Sequence, residues 1–111
     1  MSSDSRKNYK AKEQCETKLD DLKQEYHQKQ DEIFSAYQQG TQYLNRQHDS
    51  VYHLLVSLQL PDEIKNKAGY LFAEFGDTIM RQRNQAEIKL DDEFQLQQKE
   101  LNKQLDELED Q

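Results

Sequence analysis

Leu58-Gln59-Leu60-Pro61-Asp62-Glu63-Ile64 contains the only proline of a 111-residue chain, and what flanks it decides the fold. Proline suits the first position of a helix, where its missing N–H is no loss, and the two acids after it oppose the positive end of a helix dipole. The stretch therefore reads as one helix ending near 58, a turn over 59–62 and a second helix restarting at once. Upstream, Ala11, Leu22, Ile33, Leu44 and Leu55 recur at intervals of eleven residues; downstream, Ala68, Ile79, Leu90 and Leu101 do the same. Eleven residues is close to three helical turns, so each ladder holds an apolar stripe almost straight along its helix.

The rest of each seam follows at gaps of three, four and their sums. In the first helix it is Cys15, Leu19, Leu22, Tyr26, Ile33, Tyr37, Leu44, Val51, Leu55 and Leu58. In the second it is Ile64, Ala68, Leu71, Phe75, Ile79, Ala86, Leu90, Phe94, Leu101, Leu105 and Leu108. Folding about Pro61 pairs Leu58 with Ile64, Val51 with Leu71, Leu44 with Ile79, Ile33 with Leu90 and Leu22 with Leu101. The prediction is an all-α, elongated, antiparallel two-helix hairpin of coiled-coil character spanning 1–111, with helix one over about 5–58 and helix two over about 62–109. Gly40, inside Gln38-Gln39-Gly40-Thr41, predicts a kink or a break in helix one.

Composition supports this architecture. Hydrophobic and charged residues each make up 33% of the chain, with three glycines and no tryptophan, which is coiled-coil usage. A two-helix hairpin encloses no side chain on all sides, so marginal stability in isolation is expected. The net charge of -7 repels a phosphate backbone and offers no polybasic face to anionic lipid, so neither nucleic acid nor membrane insertion is expected. No apolar run is long enough to span a bilayer, and Met1 to Lys12 has no apolar stretch like that of a signal peptide, so a cytoplasmic location is expected. The single cysteine, Cys15, lies on the stripe with Leu19 and Leu22 and reads as a small buried hydrophobe.

Residues that carry chemistry are poorly placed for it. His48 and His53 are five apart, far around the helix from one another, and His27 is remote from both, so no metal site is expected. Carboxylates such as Asp91, Asp92 and Glu93 need burial to become acids or bases, and a hairpin gives little. There is no glycine-rich phosphate loop and no Cys-x-x-Cys. No catalytic, cofactor or metal residues are assigned, and a non-enzyme is expected.

The aromatics say more. Tyr43, Tyr52, Tyr70, Phe72 and Phe75 all fall in the half near the turn, and one seam cannot absorb them together with Leu54 and Leu60. Surplus aromatic surface on a helix points to a protein interface. Gly69, Ala73 and Gly76 form a strip of small residues in the same half. Two readings stand: the strip admits another backbone closely, or it relieves crowding around Phe72 and Phe75. These eight residues make up the expected partner-binding region.

A Gln- and Glu-rich helical hairpin of this length, with an aromatic middle and an acidic C-terminal helix, resembles the small helical targeting factors encoded beside LXG-domain toxins of the Gram-positive type VIIb secretion system. Its architecture is also similar to that of the Trp-X-Gly small secreted proteins, although Leu60-Pro61-Asp62 stands where those carry their motif. The resemblance implies a targeting chaperone that binds the helical N-terminal domain of a cognate toxin alongside a second small helical protein and helps present it to the export machinery; co-export of the chain with that cargo is left open, and a homodimer when alone is one reading of the thin seam. It also implies a Tyr-x-x-x-Asp/Glu export signal, which Tyr70-Leu71-Phe72-Ala73-Glu74 and Tyr9-Lys10-Ala11-Lys12-Glu13 match; Tyr70 and Glu74 are the chosen pair. The competing readings are a self-associating structural coiled coil and an export chaperone of another pathway.

Overall fold

The computed structural model describes residues 2–110, with side chains from Ser5 onward. It is an antiparallel helical hairpin: α1 (Ser2–Ser57) and α2 (Asp62–Glu109), with no strand among the described residues. The expected break at Gly40 is absent. α1 runs unbroken through it, and Gly40 keeps ordinary helical backbone, because Ile79 of α2 lies beside it and supports the chain there.

Four residues, 58–61, join the helices, close to the turn expected over 59–62. The Gln59 N–H donates to the Val56 carbonyl (3.0 Å) and the Leu60 N–H reaches back to that of Leu55 (3.2 Å). Gln59 takes the left-handed backbone, φ 55°. This is a Schellman cap, and it satisfies carbonyls that the end of α1 would otherwise leave unpaired. Glycine usually fills that position; glutamine there carries the steric cost of a Cβ. Pro61 caps α2: its carbonyl accepts from Lys65 (3.3 Å) and Ile64 (3.1 Å), and Asp62 is the first helical residue, matching the expected start at about 62. Asp62 and Glu63 then face the positive helix end, each also paired within a turn, to Lys65 and Lys67.

The packing falls into two units. The first joins the chain up to Asp31 with the chain from Ile88 on. Cys15 and Leu90, at 7% and 8% exposure, are the two buried residues among those described, Cys15 beside Gln104 and Leu90 near Leu22 and Phe94. Around them Leu19, Leu22, Phe94, Leu101 and Leu105 are half-buried, as the ladders require. Tyr26 lies against Phe94, ring centres 4.4 Å apart, and its hydroxyl donates to Asp91.

The second unit, Glu32–Glu87, holds the turn, and here the structure corrects the sequence. Leu44 lies against the Gly76 position, and His48 meets Phe72 edge-on at 5.1 Å. The buried face of α2 is Lys65, Ala68, Phe72, Gly76, Ile79 and Arg83. Ile64, Leu71 and Phe75, which were assigned to the seam, are exposed, as is Leu58. At 100° per residue they stand between about 60° and 100° around the axis from the line through Lys65, Phe72 and Ile79. One helix cannot present both lines to one partner. The eleven-residue ladder wins because all nine of its positions, on both helices, lie in the seam.

Two outcomes follow for unfolding experiments. Leu90→Ala should cost about 2 kcal/mol or more, while Leu96→Ala, on open surface, should cost less than about 0.5 kcal/mol. Replacing Gln59 by glycine should stabilise the hairpin by about 0.5–1 kcal/mol, because the left-handed backbone is already in place and only the steric cost is removed. Urea titration monitored by circular dichroism checks both, and a destabilised Gln59→Gly variant would contradict the cap.

Candidate helix-docking site

Of the sequence-selected residues, Tyr43, Tyr52, Tyr70 and Phe75 are exposed on the unit that holds the turn, Tyr70 most of all at 73%. Phe72 is different. It is half-buried in the seam beside His48, and its remaining surface lines the groove described next. His48 in turn stacks near Tyr52, ring centres 6.4 Å apart. Tyr70 and Glu74 are both exposed one helical turn apart, on the side of α2 away from α1.

Gly69, Ala73 and Gly76 do come together. They line a shallow groove with Thr41, Asn45 and His48 from α1 and Asp77 and Met80 from α2. A Cβ at Gly69 would meet nothing within 4 Å, and one at Gly76 would meet only Leu44 Cδ2 at 3.8 Å, an ordinary contact. Crowding around the phenylalanines is therefore not what makes these positions small.

The other side of the same unit is more apolar. On α2, Ile64, Leu71 and Phe75 point about 180° away from the groove residues Gly69, Ala73 and Met80, and on α1 Tyr43 and Leu54 point roughly opposite Thr41, Asn45 and His48. Since the groove residues of both helices share one side, these five share the other. Leu71 is 56% and Phe75 58% exposed, and Ile64, Leu54, Leu58 and Tyr43 are exposed with them. Between them on α1 stand Gln47 and Ser50, both uncharged. Residues 32–87 hold seven of the 22 acids and five of the 15 bases, so the apolar face sits in the nearly neutral half of the chain. Charge depletion around exposed aliphatic and aromatic side chains is how the centre of a protein interface differs from ordinary surface.

Sequence reasoning missed Leu58, Ile64 and Leu71 as exposed surface because it assigned all three to the seam. The signal was present: Leu71 and Phe75 lie off the eleven-residue ladder that Ala68 and Ile79 obey. It also missed Arg83, which lies half-buried in the seam over the Tyr37 ring, 4.5 Å from its centre, with its Nε donating to Glu87 at 3.0 Å. That arrangement covers the Tyr37 ring and holds the guanidinium in place. Among the described residues there is no cluster of three or more His, Cys, Asp or Glu that could hold a metal ion, and no helix is long and apolar enough to cross a membrane.

The open space at Gly69 can be checked directly. Gly69→Ala should stabilise the isolated chain by about 0.5–1 kcal/mol, a rise of a few degrees in Tm, because the helix gains rigidity without a clash. A fall in Tm would mean that the groove closes on itself in solution. No known protein family, curated protein or solved structure matches this chain.

Proposed function

We propose that the chain is a non-enzymatic helical adaptor: a targeting chaperone that binds the helical N-terminal domain of a secreted LXG toxin and promotes its export by type VII secretion. The observation that carries the binding part of this reading is the uncharged apolar face of the turn-bearing unit, where Leu71 and Phe75 are more than half exposed. A helix can lay an apolar stripe along that face, ridges into grooves, and so supply the burial that a hairpin with two buried residues lacks. The toxin and secretion terms rest on the resemblance in architecture. Under this reading Tyr70 and Glu74 serve as the export signal, both open on the outer side of α2, and a second small helical protein completes the complex.

Coexpression with the helical domain of an LXG toxin, followed by pull-down, tests the reading. Replacing both Leu71 and Phe75 by serine should weaken capture by roughly thirtyfold or more, since large apolar side chains at an interface centre commonly contribute 2 kcal/mol or more each. Lys99→Ala with Lys103→Ala, exposed charges of the other unit, should change it by less than about threefold. Circular dichroism of the serine variant confirms that its helices remain. A folded serine variant that captures the toxin domain as well as wild type would remove this face from the interaction.

A further inference from the structure

The apolar face of the turn-bearing unit has borders of different charge on its two helices. On α2 the outer border is Lys67, Glu74 and Arg81, exposed and seven residues apart. On α1 it is Gln39, Arg46 and His53, also exposed and at the same spacing. Each row stands about 40–80° further from the seam than Leu71 or Tyr43, where the flanking positions of one coiled-coil helix meet those of a neighbour. His48 against Phe72 and Leu44 at the Gly76 position set Arg46 level with Glu74.

The chain itself makes little use of these charges. Among the described residues Arg46 and Glu74 have no ion pair, and Arg81 Nη2 only donates to the Thr78 hydroxyl at 3.4 Å. Lys67 has Glu63 at 3.5 Å, an exposed pair that solvent screens and a partner can share. The α2 border therefore reads positive, negative, positive, and α1 adds Arg46, so a chain of net charge -7 borders this face with three bases and one acid. The groove on the opposite side has the reverse bias. Asp77 lines it, and the bases beside it, Lys65 and Arg83, are already paired with Asp62 and Glu87.

We infer that the helix received by the apolar face comes from a different protein and has acidic flanks. Beside its apolar stripe, the flank over α2 carries acid, base and acid at seven-residue spacing, level with Lys67, Glu74 and Arg81. The flank over α1 carries an acid at Arg46. Acid, base, acid reads the same from either end, so the pattern holds whether the helix runs with α2 or against it. Burial of Leu71, Phe75 and Leu54 supplies the affinity, and the borders choose among helices that share an apolar stripe, because the wrong helix brings like charges together. Such a helix is also steered away from the acidic groove. The inference rests on the adaptor reading in one respect, that this face receives a helix.

Two synthetic amphipathic helices that share one apolar stripe and one acid for Arg46 test this by isothermal titration calorimetry at low salt. The first carries acid, base, acid on the flank meant for α2; the second carries base, acid, base at the same positions. The full wild-type chain should bind the first about tenfold more tightly than the second. Changing Lys67→Glu, Glu74→Lys and Arg81→Glu together inverts the α2 row and should reverse the preference. All three side chains are exposed, and circular dichroism confirms that the helices remain. Because the readout is a ratio of two peptides on one protein, a modest loss of stability in the variant does not alter it. Equal binding of both peptides by wild type, or a preference that survives the inversion, overturns the inference and leaves the apolar-face reading standing. If wild type binds neither peptide, or if Leu71→Ser with Phe75→Ser leaves binding unchanged, the apolar-face reading falls and the inference falls with it.

Discussion

Two helices share one seam, and that geometric limit governs the molecule. Each helix can give its partner about a third of its circumference, so every apolar residue outside that sector is left to solvent or to another protein. The eleven-residue spacing fixes which sector it is. With a drift of only about 20° per repeat, the ladder from Ala68 to Leu101 holds its phase along the whole of α2. Leu71 and Phe75 are displaced by that choice. Phe72, one residue away from Leu71, takes the place beside His48.

The thinness of the seam has an energetic side. Among the described residues only Cys15 and Leu90 are buried, and no side chain is fully enclosed. Most of the seam is half-exposed, so packing contributes less per residue than in a compact domain and backbone order carries more of the burden. The cap at Gln59 and the restart at Pro61 matter for that reason: they close the chain with hydrogen bonds where apolar burial is scarce.

Much of the fold was legible in the sequence because it rests on period and punctuation. Pro61 located the turn, and the two ladders located the faces. What was not legible was the choice between two overlapping stripes in residues 64–79, since gaps of three and four link Ile64, Leu71 and Phe75 as readily as Ala68, Phe72 and Ile79. A list of permitted gaps accepts either set. Continuity of phase with Ala86 and Leu90 admits only the second. The candidate docking region was legible as a surplus of aromatics near the turn, but which of them faces outward depends on that phase: Tyr43, Tyr70 and Phe75 are exposed, and Phe72 is half-buried in the seam. Arg83 was invisible for another reason: a cation inside a seam requires the Tyr37 ring and Glu87 around it, and no local pattern announces that arrangement.

The burial of Cys15 makes the chain its own reporter. Its thiol faces Gln104 across the helices, with Sγ 4.0 Å from the amide oxygen, and it is the single cysteine in the sequence. A thiolate must reach solvent before a reagent can modify it, so the labelling rate of unmodified protein counts openings of the unit that joins the two ends of the chain. Tyr52 and Tyr70 lie in the other unit and leave the thiol signal untouched. Opening at the chain ends can thus be timed separately from events near the turn, with no label engineered into either.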